Sequence, residues 1–215
     1  MSYGPNPWQQ TQWDWRAAGN FICGGAGGGL IAFAALSGAQ GMALTLLLLG
    51  GIALVGTGLL CVWLELGRPL RALHVFFNPR TSWMTREAFV STLLMPAALA
   101  AAAGLPGFRW LAAALALGYV YCQCRMLQAA KGIPAWREPL LVPLLLLTGL
   151  AEGAGLGLLA LPAQAAAQPR VLAFASLLVL ARAAAALMYR SRLSGHAASR
   201  ALAALDGRGR WLQLA

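Results

Sequence analysis

Three ionisable residues interrupt stretches of the chain that are otherwise apolar: Glu65, Glu152 and Arg182. A charged side chain at membrane depth is costly, so each is a suspect for ion pairing or proton movement. A carboxylate such as Glu65 can also act as general acid or base in a reaction that consumes protons. Glu152 falls about 13 residues into its apolar run, and Arg182 about 11 residues into the next from the opposite end, giving depths of roughly 20 Å and 17 Å at 1.5 Å per residue. The two are therefore expected to meet as an intramembrane ion pair or to belong to a proton path.

Other chemistries are poorly supplied. The histidines are His74 and His196, both in polar segments. A b-type haem takes axial ligands, usually histidines buried in helices, so a bis-histidine haem is excluded and any redox role needs a diffusible carrier such as a quinone. Cys122 and Cys124 are one residue apart, about 200° around a helix, which does not suit a metal knuckle. With Cys23 and Cys61 they read as small packing hydrophobes. The cluster Gly24, Gly25, Gly27, Gly28 and Gly29 follows no strand, so it is not a dinucleotide loop. Its small-xxx-small pairs, Gly24 with Gly28 and Gly25 with Gly29, let helix backbones approach closely or leave room for a flat ligand.

The elements that carry these residues follow from composition. With 60% hydrophobic and 10% charged residues, the chain is far more apolar than a water-soluble domain. Its apolar runs are continuous, rich in Leu and Ala, and long enough to cross a hydrocarbon core of about 30 Å as helices. The expectation is an all-α, polytopic transmembrane bundle of six spans: 17–36, 42–64, 88–104, 110–130, 139–161 and 171–189. Residues 1–16 form an interfacial segment with Trp8, Trp13 and Trp15 as an aromatic belt and without the pattern of a signal peptide; residues 190–215 form a basic tail.

The net charge of +10 is distributed between the spans, in loops, and does not indicate nucleic-acid binding. Thirteen of the sixteen basic residues fall on the side bearing both termini, two (Arg109 and Arg170) fall on the other, and Arg182 lies within a span. That bias predicts cytoplasmic termini in a bacterial inner membrane, with basic loops facing anionic lipid or an acidic partner. The segment ELGRPLRALHVFFNPRTSWMTREAF, from Glu65, is too polar to span and combines Arg with aromatic residues, as a docking surface does.

That segment, together with WDWRAAGNFICGGAGGGL in the first helix and AAKGIPAWREPLLVPLLLLTGL opening the fifth, resembles the membrane anchor subunits of complex iron-sulfur molybdoenzymes. These include the anchors of dimethyl sulfoxide reductase, polysulfide reductase and the nitrite-reductase-linked quinol dehydrogenase. The resemblance implies a subunit without its own redox centre that binds ubiquinone or menaquinone near the membrane edge. Iron-sulfur clusters and a molybdenum or tungsten pterin would reside in partner subunits. It places the quinone site between the first four helices, on the N-terminal side, and so implies Asn20, Glu65, Tyr121 and Arg125, with His74 nearby. Glu65 would exchange protons, and Tyr121 or Asn20 would hold the ring. Many members carry His in place of Glu65 and have eight spans.

A cytoplasmic N-terminal side implies cytoplasmic iron-sulfur and catalytic partners. Among relatives of that kind, MSYGPNPWQQ and RAAGNFICGGAG are most similar to the anchor of phenylacetyl-CoA:acceptor oxidoreductase, which implies electrons from oxidation of phenylacetyl-CoA to phenylglyoxylate. A cytoplasm-facing sulfite dehydrogenase is the nearest alternative. A small transporter using Glu152 and Arg182 would require inverted repeats or broken helices, and no convincing repeat is present.

Overall fold

A computed structural model describes residues 14–66, 69–130 and 133–194, and these are almost wholly helical, with no strand among them. The order is α1 (Trp15–Leu36), α2 (Gly41–Glu65), a 3-10 helix (Pro69–Phe77), α3 (Trp83–Ala102), α4 (Phe108–Ala129), a short 3-10 turn (Pro134–Arg137), α5 (Leu141–Ala160), the single turn α6 (Ala163–Ala166) and α7 (Pro169–Ser194). Trp8, Trp13, the opening segment, His196 and the tail beyond residue 194 lie outside the described residues.

Among the described residues, five helices are long and apolar enough to cross a membrane: α1, α2, α4, α5 and α7. The remaining expected span, 88–104, corresponds to α3, 20 residues long, which is less apolar because its first turns hold Thr85, Arg86 and Glu87 and it carries Ser91, Thr92 and Pro96. It begins at Trp83, five residues before the expected start at Ala88. The cause is local: the Ser82 hydroxyl accepts from Thr85 N at 3.3 Å, capping a helix that runs through the charged pair. At the other end of the chain α7 runs on to Ser194, past the expected end at Tyr189.

Caps and cross-links fix the ends. Asp14 accepts from Arg16 N at 2.8 Å at the start of α1, and the Arg16 side chain hydrogen-bonded to it holds its carboxyl below the usual carboxylate range. Arg16 Nη1 also donates to Leu64 O at 2.7 Å, tying the start of α1 to the end of α2. At the far end the turn through residues 37–40 uses Gly38 at φ 78°, and Arg109 Nε donates to Ala35 O at 2.7 Å, placing a cation on the C-terminal carbonyls of α1.

The glycine cluster makes α1 the central helix. Gly29 meets the backbone of Gly149 and Gly153 on α5, Gly27 meets Gly51 on α2, and Gly24 and Gly28 face Tyr119, Val120 and Gln123 on α4. Three neighbours thus approach one helix closely because it lacks Cβ atoms along these faces. A Cβ at Gly153 would fall on the Gly29 backbone, whereas one at Gly155 meets nothing within 4 Å. Gly153→Ala is therefore expected to destabilise the bundle by about 1–3 kcal/mol through overpacking, with Gly155→Ala neutral or slightly stabilising. Thermal unfolding of both variants in detergent checks this.

Candidate functional site

A cavity of about 280 Å³ opens at the end of the bundle where α1 begins, α2 ends, α3 begins and α4 ends. Its wall is largely apolar, from Ala17, Phe21, Val62 and Met126 among others, with three polar side chains: Asn20, Glu65 and Glu87. An apolar cleft with a few convergent polar groups suits a flat organic ligand that must be oriented and protonated.

Behind the cavity lies a buried hydrogen-bond cluster. Asn20, Glu87 and Gln123 are each 3% exposed, and Tyr119 is fully buried. Gln123 Nε2 is 3.0 Å from Glu87 Oε1, 3.2 Å from Asn20 O and 3.1 Å from the Tyr119 hydroxyl. Asn20 and Tyr119 also meet the Glu87 carboxyl. Among the described residues the ion pair within 4 Å is Arg16 with Asp14, and none of them pairs with Glu87. A carboxyl held by an amide and a phenol can gain or lose a proton without breaking an ion pair.

The positions explain the grouping. Tyr119, Gln123 and Met126 follow i, i+4, i+7 on α4 and share one face. The Asn20 face of α1 also carries Gly24, whose missing Cβ leaves the space that Gln123 Nε2 and the Tyr119 hydroxyl occupy.

The profile of the DMSO reductase anchor subunit family (DmsC) matches residues 17–198. The chain belongs to that family. It is thus a multi-pass membrane anchor subunit of a molybdoenzyme complex, a class whose partners are iron-sulfur and molybdenum catalytic subunits. No curated protein and no solved structure matches the chain.

Of the residues that the resemblance implied, this anchor brings Asn20 and Glu65 together at the cavity and leaves the other three elsewhere. Tyr121 lies about 200° around α4 from Tyr119, is 38% exposed, and packs edge-on against Trp83 with centroids 5.8 Å apart. Arg125 donates to the Tyr121 hydroxyl at 3.4 Å and lies over the Trp83 ring. His74 is exposed on the 3-10 helix, edge-on to Phe77. Glu87, Tyr119 and Gln123 were not foreseen. The usable signals were Ser82 as a helix cap before Glu87 and the i, i+4 pairing of Tyr119 with Gln123.

Glu152 and Arg182 lie within electrostatic range of each other, as expected, but their charged atoms do not come within 4 Å. Glu152 instead lines a separate cavity of about 160 Å³ between α1, α4 and α5, with Gln123 and Gly25 on its wall.

Proposed function

We propose that this anchor is the quinone-reactive subunit of its complex, passing electrons from an iron-sulfur partner to ubiquinone or menaquinone held in the cavity between α1, α2, α3 and α4. The observation that carries this is the convergence of Asn20, Glu65 and Glu87 on one apolar cavity at an end of the helical bundle. Reduction by two electrons consumes two protons. Glu65, half-buried, is suited to exchange protons with water, and Glu87 to hand one to a ring oxygen that Asn20 helps to hold. The quinone would come from the bilayer and the electrons from the partner's clusters; the chain's own residues orient the ring, exclude water and move protons.

The cavity lies on the side that bears most of the arginines, which supports a cytoplasmic iron-sulfur partner. Reporter fusions after Arg68, Lys131 and Arg200 should then report cytoplasm, and those after Gly38, Pro106 and Gln164 the opposite side. A consistent reversal would remove the cytoplasmic partner from the proposal. The similarity of the opening residues favours a phenylacetyl-CoA-oxidising catalytic subunit over a sulfite dehydrogenase.

Binding of a quinone analogue to the purified chain tests the site itself. Asn20→Leu should weaken binding by about tenfold, the scale of one lost hydrogen bond to a buried group, while Tyr121→Phe should leave it unchanged. The reverse pattern would move the site to the outer face of α4.

A further inference from the structure

On the lateral face of the α3 and α4 pair, Trp83 collects two cations. The guanidinium carbon of Arg86 lies 4.2 Å from the ring centroid and that of Arg125 lies 4.8 Å away. Neither guanidinium meets a carboxylate of the described residues within 4 Å. Arg86 donates to the carbonyls of Pro79 and Arg80, at 3.0 and 2.8 Å. Arg125 donates to the Tyr121 hydroxyl, while its Nε is buried with no hydrogen-bond partner. Two guanidinium groups packed against one indole put two positive charges beside the same ring, a setting suited to an anionic oxygen group such as a phosphate.

A seam leads away from this cluster. On α3, Arg86, Phe89, Leu93, Pro96 and Ala100 recur at helical spacing, and on α4 Arg125, Tyr121, Gly118, Leu115 and Leu111 do the same. Between the two stripes lies a cavity of about 430 Å³ lined by Leu93, Pro96, Ala100, Leu111, Leu115 and other apolar residues, with no charged group on its wall. From Arg125 to Leu111 is about 21 Å along the helix, somewhat more than one leaflet of a hydrocarbon core about 30 Å thick.

We propose that one anionic phospholipid binds along this seam, its phosphate between Arg86 and Arg125 and an acyl chain in the apolar cavity. Charge complementarity and the head-to-tail order of cations, aromatic rings and apolar cavity select this occupant. An acidic segment of a soluble partner fits less well. Tyr121 lies about 12 Å inside the end of α4, and the cavity lies deeper still, on the bilayer side of the bundle. This site shares no lining residue with the quinone cavity, so each can fail alone.

Native mass spectrometry of the chain released from nanodiscs containing equal phosphatidylglycerol and phosphatidylcholine provides the test. The native chain should retain phosphatidylglycerol over phosphatidylcholine by about tenfold or more. Arg125→Gln should remove that preference, and Ala100→Phe, which fills the cavity, should lower retention of both lipids. Millimolar inorganic phosphate should not displace the lipid. Equal retention of the two lipids by the native chain overturns the proposal whether or not either variant folds. Displacement by inorganic phosphate alone overturns it too, since the cations would then hold a free anion. So does loss of the preference in the intact complex with Arg125 crosslinked to an acidic segment of a partner subunit.

Discussion

Glu87→Gln is expected to lower electron transfer to a quinone analogue by roughly 10²-fold or more in the intact complex, the scale of losing a proton-transfer group. The substitution keeps volume and keeps an oxygen to accept from Gln123 Nε2, now 3.0 Å away, so the cluster should stay assembled while its exchangeable proton is lost. Reduction of an artificial dye by the catalytic subunits should not change, which separates the quinone step from the chemistry upstream. Glu65→Gln should give a smaller loss, because Glu65 is half-buried and water can reach its place. If Glu87→Gln retains full quinone activity in an assembled complex, Glu87 is a packing residue and the proton route lies elsewhere.

The second large effect concerns assembly. On the 3-10 helix Leu73 is 71% and Phe77 76% exposed, while its other side is tied down by Thr85 Oγ1 donating to Val75 O at 2.6 Å and by Phe76 against Phe89. Two large apolar side chains held rigidly out from a segment flanked by Arg80 have the character of interface anchors. Replacing both by Ser should weaken association with the iron-sulfur subunit on the order of 10²-fold or more, seen as that subunit moving to the soluble fraction. Charge reversal at Arg86 is a poor probe, because Arg86 holds the Pro79 and Arg80 carbonyls. Unchanged membrane association of the double Ser variant would show that the partner docks elsewhere.

The helical bundle was legible because long apolar runs have few alternatives in a membrane, and α1, α2, α4 and α5 begin and end within about two residues of expectation. The site was legible only in part. Asn20 and Glu65 sit near the ends of apolar runs and share the side bearing the N-terminus, so topology and family resemblance both reach them. Glu87 escaped because hydropathy stops a span at a charged pair, whereas Ser82 starts the helix earlier and turns Glu87 inward while Arg86 turns out onto Trp83. Tyr121 and Arg125 lie on another face of α4 and do not line the cavity. Two residues along a helix reverse the face, and the resemblance supplied depth without rotation. Glu152 and Arg182 likewise come within electrostatic range without closing to an ion pair within 4 Å.

Quinone is expected to occupy the cavity where Asn20, Glu65 and Glu87 meet. Photo-crosslinking of the intact complex with an azido-quinone, followed by peptide mapping, tests it most directly. Label should appear on the cavity wall, at Phe21, Met84 or Met126, and should be blocked by excess unmodified quinone. Blockable label confined to α5 and α7, with these three residues unmodified, would place the quinone outside this cavity.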